Sequence, residues 1–477
     1  MEVYSKLQSE WTNKVLLASK AAVPKDSSTP LIGVVAHLIT DAFHELISFK
    51  KDLDEALNSF LFHSTSSTSL STTEEQSPST YELSFAASDK LHFGILWDEV
   101  RRTAKSGKLF ELISERRKEL SFQKETWRKF IEKNRQIENP SLYDSIDKVV
   151  KEGKLSRVDA GCGSAYFLYD AEGKPRYVIK PVDEDILCLN NRKGFGSPFN
   201  DQEHLVRDGI PLYRSAQTDA FCSTLATLCG IGSITPKTVM HLISNENYYD
   251  ISSLLQGEEQ EQFFRLTGFP DREKLCSVQE FVQNSDDLYD ILHELSQKNA
   301  DFLEAFDQKD IEEASVFTWL TGDTDAHAGN FRAYVKSAAP DGKPIYGLKK
   351  IDNGLSFAEK NEGLYSMLQY LPNAERPLSK ETIEKIRSIP MEQILRKMDE
   401  YQLGNTKDAF IDRVSVVQQL AEREGITIEE IYVRLNLLGR TDGKTLALSS
   451  RSLSELKNIL YGITDDPFPT TTYQIEA

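Results

Sequence analysis

The sequence has few cysteines, and their arrangement excludes two common uses of this residue. Its five cysteines are Cys162, Cys188, Cys222, Cys229 and Cys276, an odd number, and no two of them have Cys-x-x-Cys spacing. This argues against a disulfide framework and against a zinc site, and it favours a reducing compartment. We therefore expect a cytoplasmic protein.

Long apolar runs are also missing. No stretch approaches the roughly 18 apolar residues that a membrane-spanning helix needs. The N-terminal residues Met1–Glu2–Val3 do not resemble a secretory signal, and Glu2 stands where N-myristoylation requires glycine. We expect at most peripheral contact with a membrane.

Positive charge is in the minority. The 477 residues include 56 Lys and Arg against 74 Asp and Glu, which gives a net charge of −18. An acidic chain is a poor candidate for binding nucleic acid, and we expect no nucleic-acid partner. The length is sufficient for two or three domains, and the hydrophobic fraction of 39% fits a core joined by polar linkers.

The first third of the chain is predicted to be mostly helical. Residues 1–62 contain an apolar stripe at helical spacing, which is typical of a core helix, with a partner-binding helix as the alternative. Residues 63–80 are rich in Ser and Thr and predict a linker. Residues 81–154 again follow a helical pattern and are highly charged.

From residue 155 the pattern changes to strands. A Gly-containing turn, Gly161–Cys162–Gly163–Ser164, leads into Ala165–Tyr169, and Arg176–Lys180 predicts the return strand. A glycine hairpin can place backbone N–H groups over phosphates because side chains are missing there. Lys180 then stands where it could reach the same phosphates. The alternative is an ordinary surface hairpin with a solvated lysine.

The following segments are predicted from the same periodicity. They are a helix at 213–229, a strand at 236–243, an insertion near 244–272, a strand at 275–282, helices at 380–402 and 407–434, and a loop–strand segment at 437–448.

The stretch most indicative of chemistry is Gly322–Phe331, followed by Lys350–Gly354. It places Asp325, His327 and Asn330 on one loop and Asp352 after a predicted strand. Phosphoryl transfer needs hard oxygen ligands for Mg²⁺ and a carboxylate or imidazole near the acceptor hydroxyl. Taken alone, the same spacing also suits a capped turn.

These motifs, taken in order, resemble the phosphatidylinositol 3- and 4-kinase superfamily. The matching segments are the glycine hairpin, Ile179–Asp185, Asn190–Gly194, Asp325–Asn330, Ile351–Leu355 and Leu371–Ser379. They are most similar to the plant-type gamma group of type II phosphatidylinositol 4-kinases, over about residues 155–435.

The resemblance implies an α+β fold, with a bilobal protein-kinase-like catalytic domain preceded by a mostly α-helical N-terminal region. It implies a first lobe at 155–285, a second lobe at 286–437 and a C-terminal extension at 438–477. The cofactors it implies are ATP and Mg²⁺. The implied ATP-binding residues are Gly161, Gly163, Ser164, Lys180, Gln217, Cys276, Val278 and Phe281.

The resemblance also assigns roles within the two acidic loops. Asp325 and His327 would be catalytic, and Asn330 and Asp352 would bind the metal. The family has a glutamate partner for the lysine, and our alignment puts Gln217 at that position, with Asp219 nearby.

The expected activity is transfer of the ATP γ-phosphate to a hydroxyl, with phosphatidylinositol as the acceptor. A protein Ser/Thr kinase and a non-catalytic pseudokinase are the alternatives. Residues 356–376 contain Lys360 and Arg376 against Glu359, Glu362 and Glu375, so this segment is not basic. A lipid headgroup is normally held by basic residues, and this composition leaves the protein acceptor open.

Overall fold

The computed structural model describes most of the chain beyond residue 107. The described residues are 108–137, 139–158, 163–185, 188, 190–191, 205–207, 210–254, 257–298, 300–361, 364–440 and 442–461. They all belong to one compact unit of the chain. The helices predicted within 1–62 and the linker predicted at 63–80 lie outside the described residues.

A sheet forms the first layer of the fold. Its strands are β1 (Lys154–Val158), β2 (Ala165–Tyr169), β3 (Pro175–Pro181), β6 (Thr238–Ser244) and β7 (Glu273–Glu280), and a separate ribbon contains β4 (Leu205–Arg207) and β5 (Ile210–Pro211). The five strands are antiparallel in the order β1-β2-β3-β7-β6. The turn from β2 to β3 is held by Asp170, whose carboxylate accepts the backbone N–H groups of Glu172 and Lys174 at 3.1 and 2.8 Å. Gly173 in this turn has a φ of +77°, which glycine adopts at little cost.

Side chains alternate between the two faces of this sheet. Lys180 on β3 pairs with Ser277 on β7, which pairs with Met240 on β6, so these three residues share one face. Cys276 pairs with His241 and therefore lies on the opposite face. This alternation decides which residues of β7 can accompany Lys180 in a site.

Helices α1 (Lys108–Ile137) and α2 (Pro140–Glu152) occupy the described part of the region predicted to be helical before the sheet. Trp127 of α1 is 1% exposed, and its ring contacts Phe130 and Tyr401 edge-on, with centroids 4.9 and 6.1 Å apart. The Tyr143 hydroxyl of α2 donates to the backbone carbonyl of Met240 at 3.1 Å. These helices are packed against both the sheet and the C-terminal helices.

Helix α3 (Ser215–Leu228) packs on the sheet through small and apolar residues, among them the buried Ala216 and Ala220. The Ser223 hydroxyl accepts the backbone N–H of Thr238 at 3.1 Å and ties α3 to β6. The predicted insertion contains α4 (Gly257–Thr267). It is anchored on α1 by Arg117, which donates to both carboxylate oxygens of Asp250 at 3.0 Å.

The second layer is mostly helical. Its helices are α5 (Leu288–Gln297), α6 (Phe302–Ala305), α7 (Gln308–Thr321), α8 (Lys380–Arg387), α9 (Met391–Glu400), α10 (Lys407–Leu420), α11 (Ile428–Leu435), α12 (Gly443–Leu448) and α13 (Leu453–Tyr461). A small sheet of β8 (Asp286–Asp287), β9 (Phe331–Ala338) and β10 (Pro344–Lys350) has the order β10-β9-β8. Short 3₁₀ turns occur at Val182–Glu184, Ile251–Leu254, Ala328–Asn330, Met367–Tyr370, Pro372–Glu375 and Gly404–Thr406.

Several of these helices begin at side-chain caps. Asp307, Ser379 and Thr427 accept backbone N–H groups at the starts of α7, α8 and α11. One hydrophobic core then continues through both layers, from Ile179 in the sheet to Phe410 in α10. The described residues are thus an α+β structure, as expected.

The prediction for residues 437–448 was wrong. Instead of a loop–strand segment, the structure has α12 there, and α13 follows it. The reason is tertiary, because Leu437 and Leu456 pack with α11 and Arg434 donates to the Ala447 carbonyl at 2.9 Å.

Within the described part of the chain, none of the helices combines the length and apolarity needed to cross a membrane. Cys188, Cys222, Cys229 and Cys276 are buried free thiols.

Candidate active site

Lys180 joins the five-stranded sheet to the loop that follows β10. Its Nζ lies 2.9 Å from Oδ2 of Asp219 on α3 and 2.8 Å from Oδ1 of Asp352. Burial alone would lower the pKa of Lys180, but the charges of Asp219 and Asp352 outweigh it and raise that pKa. The Lys180 charge in turn lowers the pKa of Asp352. The two carboxylates therefore keep Lys180 a cation, and Lys180 keeps Asp352 an anion.

The partner of Lys180 on α3 is Asp219. This corrects the alignment, which placed Gln217 at the position of that partner. Two residues correspond to about 200° around an α-helix, so Gln217 and Asp219 point in nearly opposite directions. Asp219 is 1% exposed, and its second carboxylate oxygen accepts the backbone N–H of Asn353 at 2.6 Å. One carboxylate thus holds both the lysine and the backbone next to Asp352.

The loop of Asp325 begins where α7 ends. Gly322 has a φ of +61° and terminates the helix, and a Cβ there would lie 2.6 Å from the guanidinium carbon of Arg413. The carboxylate of Asp323 then accepts the backbone N–H of Asp325 at 2.8 Å. The Asn330 amide donates to the backbone carbonyl of Asp325 at 2.7 Å. Asp325 and Asn330 are therefore brought together, as the motif predicts.

His327 is bonded within the same loop. Its Nδ1 accepts the backbone N–H of Gly329 at 3.1 Å, and its Nε2 lies 3.9 Å from Oδ2 of Asp325. In the neutral ring an accepting Nδ1 leaves the hydrogen on Nε2. The nitrogen that faces Asp325 is then a donor. The His327 side chain is 52% exposed, so it is open to solvent.

A buried ion pair lies beneath the two loops. Nζ of Lys350, at the end of β10, is 2.9 Å from Oδ2 of Asp323, and both side chains are 0% exposed. The same Nζ donates to the backbone carbonyls of Ile351 and Asp352 at 2.8 and 3.2 Å. Burial raises the pKa of Asp323, although the Lys350 charge opposes this.

Asp352 itself has an unusual backbone. Its φ is +54°, a left-handed conformation that is uncommon for any residue other than glycine. Its carboxylate is 56% exposed. Such a conformation persists only where the surroundings enforce it, and here they include Lys180, Lys350 and the Asp219 contact to Asn353.

The described part of the glycine hairpin contains Gly163 and Ser164, whereas Gly161 lies outside the described residues. A Cβ at Gly163 would lie 2.8 Å from a carboxylate oxygen of Asp185, so a larger residue there would require the Asp185 side chain to move. The Ser164 backbone N–H donates to the Glu184 carbonyl at 3.0 Å, and its buried hydroxyl has no hydrogen-bond partner among the described residues.

Two residues expected beside ATP face away from Lys180. Cys276 and Val278 alternate with Ser277 along β7, so their side chains lie on the opposite face of the sheet. The Cys276 thiol contacts the Tyr248 hydroxyl there at 3.6 Å. Of these β7 residues only Ser277 shares the Lys180 face, and the expectation that this strand lines the adenine pocket stays a prediction.

Phe281 follows β7 and contacts the ring of Phe167 edge-on, with centroids 5.4 Å apart. Phe167 pairs with Val178 on β3, two residues before Lys180, so it lies on the Lys180 face. Phe281 is thus placed on the same side as Lys180.

A segment after Asp352 lies against the loop of Asp325. The backbone N–H of Tyr365 donates to the Asp323 carbonyl at 3.1 Å, and that of Met367 to the Ala326 carbonyl at 2.8 Å. Burial and the charge of Asp325 raise the pKa of the Tyr365 hydroxyl. This segment forms a wall beside Asp325.

Sequence reasoning missed Asp323 and Lys350. The available signal was that each residue stands two positions before a proposed site residue, Asp323 before Asp325 and Lys350 before Asp352. Polar residues next to acidic motifs are common on solvated loops, so the pattern alone did not indicate burial.

No protein-family model matches the chain. The chain is 26% identical over 271 residues to phosphatidylinositol 4-kinase gamma 3 of Arabidopsis thaliana, an alignment that covers 54% of the chain and 43% of that protein. It is 26% identical to phosphatidylinositol 4-kinase gamma 6 over 258 residues, and 25% identical to phosphatidylinositol 4-kinase gamma 7 over 254 residues, both from the same plant.

The alignments cover 52% of the chain for gamma 6 and for gamma 7, but only 38% and 35% of those relatives. The chain therefore spans less than half the length of the curated relatives it matches. These similarities confirm the resemblance that the motifs indicated: the chain is similar to the plant phosphatidylinositol 4-kinase gamma proteins.

Proposed function

We propose that the chain is an ATP- and Mg²⁺-dependent kinase of the phosphatidylinositol 3-/4-kinase-like class, with a bilobal catalytic domain. The observation that carries the proposal is the position of Lys180, held by Asp219 and Asp352 at 2.9 and 2.8 Å. Phosphoryl transfer depends mainly on positioned charge around the phosphates, and this arrangement supplies a fixed cation beside a fixed anion.

The residues around Lys180 fit a nucleotide. Lys180 would contact the phosphates, and the absence of a side chain at Gly163 leaves space beside the Asp185 carboxylate. The Ser164 hydroxyl, which is buried and lacks a partner among the described residues, supports a phosphate as its hydrogen-bond acceptor. The ring of Phe281, beside Phe167, would contact the adenine.

The donor set also fits Mg²⁺. Asp352 offers a carboxylate, and the Asn330 amide nitrogen is committed to the Asp325 carbonyl, which leaves the amide oxygen for a cation. When bound, Mg²⁺ would neutralise charge on the phosphates. We assign both residues as the metal ligands.

Asp325 is the group proposed to accept the proton of the acceptor hydroxyl. Its backbone is held by Asp323 and Asn330, so the carboxylate has a defined direction. The Nε2 of His327 carries hydrogen in the neutral ring and cannot take that proton, which favours Asp325 as the base. His327 would instead donate a hydrogen bond toward the transferred group.

The proposed acceptor is phosphatidylinositol, supported by the names of the plant relatives. The protein would then be cytoplasmic and would contact the membrane only peripherally. A protein hydroxyl is the second candidate, favoured by one observation. Arg376, one of the two basic residues at 356–376, is engaged by Glu304 at 3.3 Å, which leaves little positive charge for a headgroup.

In the test, the protein is incubated with radiolabelled ATP and Mg²⁺ together with phosphatidylinositol vesicles and, in parallel, together with a protein extract. We expect label in phosphatidylinositol, and we expect Asp352→Asn to abolish it. Asp341→Asn, on an exposed turn, serves as the matched control and should retain activity.

The other outcomes separate the alternatives. Label in protein alone would support the second candidate. Binding of ATP without transfer to either acceptor would indicate a pseudokinase and would contradict the proposal.

A further inference from the structure

The buried pair of Lys350 and Asp323 lies where the two acidic loops meet. Lys350 is the last residue of β10, and Asp323 follows the end of α7. Their charged atoms are 2.9 Å apart, and both side chains are fully buried. Removing two charges from water is costly, so a pair in this position calls for a role beyond stability.

Each member of the pair holds the backbone of a different loop. Asp323 accepts the backbone N–H of Asp325 at 2.8 Å through its other oxygen, Oδ1. Lys350 donates to the carbonyls of Ile351 and Asp352 at 2.8 and 3.2 Å. The chain of contacts therefore runs from the Asp325 backbone through the ion pair to the Asp352 backbone.

The contact of Lys350 with Asp352 matters because the Asp352 backbone has a left-handed conformation. A φ of +54° is unfavourable for an aspartate by itself. The Lys350 contact on the Asp352 carbonyl and the Asp219 contact on the next N–H fix the peptide between Asp352 and Asn353 from both ends. Its orientation sets where the Asp352 carboxylate points.

We infer that Lys350 and Asp323 are positioning residues that hold the Asp325 loop and the Asp352 loop in a fixed relation for metal–nucleotide binding. This inference rests on the proposed function. Neither residue reaches solvent, so both act through the loops they hold. Outer contacts of this kind typically change metal affinity about 10- to 100-fold when removed.

The experiment uses the double variant Asp323→Asn/Lys350→Met in the full chain. Asparagine retains an oxygen for the Asp325 N–H, and methionine fills the space of lysine but cannot donate to the two carbonyls. Replacing both members avoids an unpaired buried charge, which would be strongly destabilising. We therefore expect the melting temperature of the double variant to lie within a few degrees of that of the wild type.

The readout is the Mg²⁺ concentration at which a fluorescent ATP analogue is half bound, measured beside turnover. We expect the double variant to need at least about tenfold more Mg²⁺ than the wild type. Lys349→Met is the matched control, because Lys349 is the neighbouring lysine on β10 and donates to the Ser233 carbonyl instead. It should bind the analogue at the wild-type Mg²⁺ concentration.

Two results would overturn the inference, and they are distinguishable. If the folded double variant keeps the wild-type Mg²⁺ dependence, the pair is only structural and the proposed function is unaffected. If the wild type itself binds the analogue without any dependence on Mg²⁺, both the proposed function and the inference are wrong.

Discussion

At the scale of single residues, the site depends on Lys180 having two acidic partners. Lys180→Met should lower kcat/KM for ATP by at least about a hundredfold, because the cation proposed to contact the phosphates is lost. Lys174→Met, an exposed lysine on the same hairpin, is the control and should be neutral. Steady-state kinetics with varied ATP measure the effect, and wild-type activity in Lys180→Met would show that Lys180 does not serve the nucleotide.

Asp325 and His327 should respond differently to substitution. Asp325→Asn should remove essentially all turnover, because no base would be left for the acceptor hydroxyl. His327→Ala should cost roughly ten- to a thousandfold, as expected for a lost transition-state contact. Purified variants assayed with saturating ATP measure both.

His293→Ala, an exposed histidine on α5, is the control for His327→Ala. Turnover of His327→Ala equal to that of His293→Ala would give His327 a purely structural role. Full activity in Asp325→Asn would exclude this loop as the catalytic loop.

Glu184 should make stability depend on pH. Burial, at 0% exposure, raises its pKa from 4.5 to about 7, although Lys274 and Tyr166 donate to it at 2.7 and 2.6 Å. Because the pKa of Glu184 is higher in the folded than in the unfolded protein, proton binding by Glu184 favours the folded state. This contribution to the free energy of unfolding is complete below about pH 4.5. It is lost as pH rises through about 7.

The measurement is chemical denaturation of the wild type and Glu184→Gln at pH 4.5 and pH 8. Between these values, the unfolding free energy of the wild type should fall relative to the variant by on the order of 3 kcal/mol. The same substitution at the exposed Glu172 is the control. A difference between wild type and Glu184→Gln that is constant with pH would contradict the expectation.

At the scale of elements, α1 connects the two layers. The ring of Phe130, one turn beyond the buried Trp127, lies 4.8 Å from that of Tyr401, which lies 5.4 Å from that of Phe221 on α3. α3 carries Asp219, so this aromatic chain supports the helix that holds Lys180. Helix α1 is therefore an integral part of the described unit.

Trp127→Ala should lower the free energy of unfolding by about 3–5 kcal/mol, because a large buried side chain leaves a cavity. Phe122→Ala removes another aromatic ring from α1, but that ring is 75% exposed, and the change should stay within about 0.5 kcal/mol. Urea denaturation measures both. Equal effects of the two substitutions would mean that α1 is not packed against the fold.

At the scale of the whole molecule, ligand binding should stabilise both layers together. The hydrophobic core is continuous from the sheet to α10, and Lys180 and Asp352 join the layers at the site. ATP with Mg²⁺ at a hundred times Kd should stabilise the protein by about 2.7 kcal/mol and raise Tm in one transition. Calorimetry measures this, with Asp352→Asn as the variant that should lose the shift. Separate transitions of the two described layers, of which only one moves, would contradict a shared core.

The sequence by itself determined the linear features. The hairpin with Lys180, the loop of Asp325 and Asn330, and the strand before Asp352 depend on turn residues and on local periodicity, which act between near neighbours. The same local signals support the α+β class, because alternating strands and helical stripes are visible over short windows. The similarity to plant phosphatidylinositol 4-kinase gamma proteins followed from the order of these motifs.

Only the tertiary structure decided which side chains meet. The choice of Asp219 over Gln217 depends on the rotation of α3 against the sheet. The position of the Cys276 and Val278 side chains on the face opposite Lys180 depends on the register of β7. The pairing of Lys350 with Asp323 depends on burial of two charges from segments that local sequence does not connect. Rotation, register and burial are set by packing between distant segments, and for that reason no local pattern in the sequence specifies them.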